Sequence, residues 1–334
     1  MFPLIDMYRS GKPVKALYYC GWLARRLVPR TFRRARMRRW LRTWHTRPDA
    51  DYIRDRVDFY CRLKPGATLP DDAEPVHALD RSRGKRVYYI DMERWMAYFP
   101  SRLRVAFQPG DVYANPRVPT VIKAARLDDD CRENAVILPL NRVRHFPRPH
   151  DNIPFSQKEP VLFFRGKIAD KPLRIRFFER WHGTPGMDLG DTSRHPLRPE
   201  WAASKVSIAS HFRYRFILVL EGNDVGSALQ WVMGSNCVPV MTRPFVEHWL
   251  MHSRLVPGVH YVEIAPDFSD VQEKLAWYLA HPDQAEAIAA ASREWYAQFA
   301  DSRRELLIAL LTLHRYFTAT SQMAPATRCM HGRD

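Results

Sequence analysis

Cysteine is scarce in this 334-residue chain: Cys20, Cys61, Cys131, Cys237 and Cys329 are odd in number, widely spaced and free of any C-x-x-C pair. A disulfide framework and a cysteine zinc site are therefore not indicated, and a reducing compartment fits. Long hydrophobic runs are missing as well. The nearest to one near the start, Val14 to Ala24, lasts eleven residues before Arg25 and Arg26, too short to span a bilayer. The arginine cluster that follows it, in place of a small-residue cleavage site, argues against a signal peptide. No internal repeat and no low-complexity tract occurs. Acids are nearly absent from residues 1–45, where twelve Lys or Arg face only Asp6 and leave +11 of the chain's +16. The remaining 289 residues carry +5, so the excess belongs to one terminal segment and not to a groove. With no reading helix, zinc pattern or aromatic sheet motif beside it, that distribution favours a membrane surface over nucleic acid.

What is present describes a packed protein. An apolar content of 46% with 12% aromatic residues, over this length, allows two domains of ordinary size. In the terminal segment Met37, Trp40, Leu41 and Trp44 fall on one helical face flanked by Arg33, Arg34, Arg36, Arg38, Arg39 and Arg42. Such a face suits the headgroup region of an anionic bilayer, and equally a basic helix docked on its own protein. Pro, Gly and Asp mark a loop at 65–85. Strand-like segments follow at Val87–Ile90, Val105–Gln108 and Val136–Leu138, and the prolines from Pro147 to Pro160 suggest a linker. A second series of strands is expected at Val161–Phe164, Val206–Ile208, Phe216–Leu220, Val238–Met241 and Tyr261–Ile264. Helical periodicity then runs from Pro282 to about Tyr316.

Four stretches could carry chemistry. Asp111 follows a strand and a Pro-Gly turn, the place where an α/β domain presents a catalytic carboxylate, and also where an Asp caps a turn. Asp128, Asp129 and Asp130 are consecutive and read as a solvated acidic loop, not a metal cluster. Arg165, Gly166 and Lys167 end an apolar strand with two cations and a glycine that admits close backbone approach to a phosphate, whereas Arg174 and Arg176 on the next helix read as solvated. Asp188, Gly190 and Asp191 suit a loop between elements. In HFRYRFILVLEGNDVGSALQWVMGSNCVPVM, residues 211–241, a buried strand breaks at Glu221, Gly222, Asn223 and Asp224 and a helix is expected from Val225. The turn through Gly226 and Ser227 would offer N–H groups to a diphosphate, and Glu221 an acceptor for ribose hydroxyls.

Over about residues 85–300 these landmarks resemble glycosyltransferase family 90, the lipopolysaccharide-core and protein O-glucosyltransferase family, and its bacterial lipopolysaccharide branch in particular. GDVYANPRVPTVIKAARL, NAVILPLNRVRHF, FFRGKI, RFFERWHGTPGMDLGDTS and the 211–241 stretch occur in one order. The resemblance implies an α/β protein of GT-B type, two Rossmann-like domains with a cleft between them and long C-terminal helices. It implies inverting transfer of a hexose from a UDP-sugar to a glycan hydroxyl, with neither metal nor cofactor. Asp111 would be the base, and Arg165, Gly166, Lys167, Arg213, Glu221, Gly222, Asn223, Asp224, Gly226 and Ser227 would hold the donor. Eukaryotic members follow Phe-Arg-Gly with Ser-Arg, where this chain has Lys167 and Ile168, and their next phosphate-side arginine has no counterpart near Gln230. His211, Arg213 and Arg215 are the compensating cations to consider.

The expected organisation is a basic membrane-surface segment at 1–45, an acceptor-side α/β domain at 46–155, a UDP-sugar domain at 156–281, helices at 282–320 and a tail at 321–334. The expected setting is cytoplasmic, peripheral on the inner face of the inner membrane, with a lipid-linked glycan acceptor. Two rival readings are a catalytically inactive scaffold and a basic nucleic-acid-binding protein.

Overall fold

The apolar runs at 161–164 and 216–220 form strands that bury alternate side chains on opposite faces. Leu162, Phe164, Phe216, Leu218 and Leu220 enter one core, and Phe163, Ile217 and Val219 enter another. A strand covered on both faces needs no polar alternation, which is why these runs are continuously apolar. In the computed structural model, which describes residues 8–75 and 86–325, five such strands make one parallel sheet. They are β1 (Glu159–Gly166), β2 (Met187–Asp191), β3 (Tyr214–Leu218), β4 (Val238–Met241) and β5 (Val262–Glu263). Their spatial order is β5-β4-β3-β1-β2. The chain steps one way from β1 to β2 and the other way from β1 to β3, so the order reverses between β1 and β3. Ligands of doubly wound sheets bind at that reversal, beyond the carboxyl ends of the strands.

This sheet lies in a unit of Met1–Pro13 and Val143–Ala300; the other unit comprises Val14–Arg142 and Asp301–Asp334. The sheet unit packs the helices Pro172–Trp181, Val271–Ala280 and Pro282–Ala297 against one face through Phe177, Phe178, Leu275 and Ile288. Phe212, Trp231, Val232 and Met233 fill the other face. The proline-rich segment before β1 is packed into this unit: the Lys158 ammonium is buried against Asp151 at 2.8 Å, and Asp151 also accepts from the N–H of Asn236. The stretch Met187–Asp191, expected as a loop, is an edge strand in register with β1. A Cβ on Gly190 would stand 2.4 Å from the Ala203 Cβ, so only glycine fits there. Val206–Ile208, expected as a strand, is a helix start, with the Ser207 hydroxyl accepting from the N–H of Ser210.

The second unit is mostly helical. Lys15–Leu27, Arg30–Thr43, Ala50–Tyr60 and Arg86–Met96 are joined by Ser302–Ala319, whose Asp301 side chain caps the first turn. Arg56, fully buried on the Ala50–Tyr60 helix, donates to Glu305 at 2.6 Å and so ties the last helix into this unit. Val87–Ile90, expected as a strand, lies in a helix because Tyr88, Tyr89, Met92, Trp95 and Met96 recur at helical spacing and are all buried. Thr120–Ile122 and Ala135–Ile137 pair in parallel, and Glu74–Pro75 and Arg104–Val105 pair antiparallel. The face of Met37, Trp40, Leu41 and Trp44 docks on its own protein. Met37 is buried and the Trp40 ring stacks on Tyr98 with centroids 6.4 Å apart.

Candidate functional site

At the carboxyl ends of β1 and β3 the chain brings together two loops, 165–171 and 221–228. Arg174, in the first turns of the helix that follows β1, ties them. One guanidinium nitrogen donates to the Lys167 carbonyl and another to the Leu220 carbonyl, each at 2.8 Å. Lys171, one turn earlier, donates to Asn223 Oδ1 at 2.6 Å. Helical side chains lean toward the helix N-terminus, so cations in an opening turn reach back over the preceding strand end. Gly222 lies under Arg174, and a Cβ there would come within 3.3 Å of its Nη2. Burial, and the positive charge of Arg144 nearby, push the Arg174 pKa down to about 10. Among the described residues neither Arg174 nor Lys171 makes an ion pair with a carboxylate. A cluster of cations that lacks a carboxylate partner and faces neutral oxygens is arranged to accept an anion.

The other expected donor residues separate into two groups. Gly166, Lys167, Glu221, Gly222, Asn223, Asp224, Gly226 and Ser227 all lie at this edge. Lys167 is exposed and Glu221 and Asp224 are buried; the Glu221 carboxylate accepts from the N–H of Phe245 at 3.2 Å. Gly226 is needed because a Cβ would press on Val219 at 3.0 Å as the loop folds back. The helix expected from Val225 begins only at Leu229 and spans four residues, so 222–227 is a turn and not a helix start. Arg165 points elsewhere. Its guanidinium folds back over the Phe163 ring and donates to Asp188 Oδ1 at 2.7 Å, beside β2. Arg213 precedes β3 at the opposite, amino end of the sheet, where it donates to Glu159 at 2.8 Å, and Arg215 there donates to the Lys158 carbonyl. His211 is buried between Phe163 and Trp231 with Nδ1 at 2.8 Å from the Ser207 carbonyl. Desolvation pushes its pKa down to about 4, so it is neutral at pH 7 and supplies no charge.

In the second unit, Asp111 follows Gly110, whose φ of +107° only glycine adopts without strain. Asp111 Oδ1 accepts from Lys123 Nζ at 3.0 Å; the lysine is 1% exposed, lies 5.9 Å from the centre of the Tyr88 ring, and holds a carboxylate that keeps part of its surface open. Lys123 had no signal in the sequence beyond its place between two short strands. Asp129 accepts from the N–H groups of Asn115 and Cys131, so the acidic run caps turns. Among the described residues no group of three His, Cys, Asp or Glu could hold a metal.

Residues 140–304 match the family model described as Glycosyl transferase family 90. The O-glucosyltransferase LpsA of Dichelobacter nodosus is 37% identical over 266 residues, covering 80% of this chain and 83% of that protein. The chain belongs to glycosyltransferase family 90. Protein O-glucosyltransferase 2 of Danio rerio is also similar, 27% identical over 90 residues, which is 27% of this chain and 18% of that protein.

Proposed function

We propose that this glycosyltransferase moves a hexose from a UDP-sugar to a hydroxyl of a lipopolysaccharide-core or other cell-surface glycan, with inversion and without a metal, at the cytoplasmic face of the inner membrane. The observation that carries the donor assignment is the cation set at the reversal between β1 and β3, where Lys171 and Arg174 meet only neutral oxygens. A leaving diphosphate needs fixed positive charge as its bond to the sugar breaks, and these side chains would supply it in place of a divalent ion. Lys167 would add a third cation from the exposed loop, and Glu221 would take ribose hydroxyls.

In this reading Asp111 removes the proton of the acceptor hydroxyl while Lys123 fixes the orientation of the carboxylate. The hydroxyl oxygen attacks the anomeric carbon from the side opposite the phosphate. The bond from that carbon to the UDP oxygen breaks, UDP leaves with the electron pair, and the proton stays on Asp111. One displacement inverts the anomeric centre. The two-domain GT-B architecture is part of the proposal, because it assigns the base to one unit and the donor to the other. The name of the similar D. nodosus protein makes UDP-glucose the first donor to try.

Transfer assayed in EDTA with UDP-glucose, followed by release of UDP, tests this directly. Asp111→Asn should retain UDP binding and lose turnover by a factor of at least about a hundred, the scale of a general base. Near-wild-type turnover in that variant removes Asp111 from the mechanism, and activity that returns only with Mn²⁺ removes the metal-independent part.

A further inference from the structure

The Lys15–Leu27 helix is held to its unit by an aromatic face and presents an aliphatic one to solvent. Tyr18 donates to Asp91 at 2.9 Å and Trp22 to Glu93 at 2.9 Å, and Arg26 pairs with Glu93. On the other side Ala16, Leu17, Cys20, Leu23, Ala24 and Leu27 recur at helical spacing and are all exposed, Leu17 by 71% and Leu27 by 85%. Val28 and Phe32, the latter 64% exposed, continue the series beyond Pro29. Arg36, Arg38, Arg39 and Arg42 are exposed on the Arg30–Thr43 helix, whose inward side is marked by buried Met37. Among the described residues none of these four arginines pairs with an acid. A soluble surface has no use for an aliphatic stripe beside uncompensated arginines, whereas the headgroup and acyl boundary of an anionic bilayer satisfies both.

We propose that these two helices rest on an anionic lipid bilayer, with Leu17, Leu23, Leu27 and Phe32 entering the acyl boundary and the four arginines meeting headgroup phosphates. The charge fixes the occupant: residues 1–45 hold twelve cations against one acid, a balance that complements a lipid surface of opposite sign. The lipid face is therefore the outward side of the first helix and not the Met37, Trp40, Leu41 and Trp44 face, which is used in packing. No described helix is long and apolar enough to cross a membrane, so contact is by lying on it. The inference is independent of the donor assignment.

The test uses the full chain and co-sedimentation with phosphatidylcholine vesicles with and without phosphatidylglycerol, at physiological salt. Binding should require the anionic lipid. The combined Leu17→Gln, Leu23→Gln and Leu27→Gln variant should bind at least about tenfold more weakly, since three half-inserted leucines are lost. Combined Arg38→Gln, Arg39→Gln and Arg42→Gln should cost about a hundredfold, at roughly a factor of five per surface cation. All six positions are exposed, so thermal melting and UDP binding should stay as in the wild type. Equal binding to neutral vesicles, no binding to anionic ones, or unchanged binding of the leucine variant would each overturn the proposal. So would self-association abolished by that variant in a chain that ignores vesicles, or duplex DNA bound more tightly than the anionic vesicles with the leucine variant unaffected.

Discussion

The two edges of the five-stranded sheet treat positive charge differently. At the amino edge Lys158 is buried against Asp151 and Arg213 meets Glu159, whereas Arg215 reaches the carbonyls of Lys158 and Ser156. At the carboxyl edge Lys171 and Arg174 reach a side-chain amide and two carbonyls, with Arg144 close enough to lower the Arg174 pKa. Lys158 and Arg213 are neutralised by carboxylates within the fold, whereas Lys171 and Arg174 meet neutral oxygens. Arg165 belongs with the first pattern although it sits on a strand that ends at the second edge, because Asp188 draws it back. Which edge a cation faces, and what it already holds, decides whether it can serve a ligand.

That contrast can be broken most severely at the amino edge. Lys158→Met strands the Asp151 carboxylate in the interior and should cost about 3–5 kcal/mol of stability, read as a lowered urea midpoint, with UDP affinity unchanged in the protein that remains folded. A pH series sharpens the contrast without any mutation. Burial pushes the His211 and His252 imidazoles of the sheet unit down to about 4, below the 6.5 they have when exposed. The unfolded chain therefore binds more protons between those values, and stability should fall as pH drops from about 6.5 towards 4 by a few kcal/mol. Urea midpoints across that window measure the loss, and His252→Gln should flatten part of it.

Much of the sheet unit is legible in the sequence because β1, β3 and β4 are covered on both faces and read as apolar runs. β2 is not, since Met-Asp-Leu-Gly-Asp has little strand propensity and is held by pairing with β1 and by a bridge from Asp191 to Ala202. The Arg86–Met96 helix hides behind four residues that look β-like. At the site, the loops 165–167 and 221–227 stand out by their glycines and turn residues. Arg174 does not, because its two carbonyl partners lie 7 and 46 residues away and only the fold brings the second within reach. The same holds for Arg213, whose position at the wrong end of its strand follows from chain direction within the sheet. The basic segment is legible in its charge but not in its orientation, which Tyr18 and Trp22 set through Asp91 and Glu93.

Whether donor phosphates bind the carboxyl-edge cations is read most directly by calorimetric titration with UDP in EDTA on two variants. Arg174→Met should weaken binding by at least about tenfold, the worth of one charge-assisted hydrogen bond, while Arg213→Met should leave it within about twofold of wild type. Unchanged UDP affinity in Arg174→Met, or the larger loss in Arg213→Met, would contradict the account.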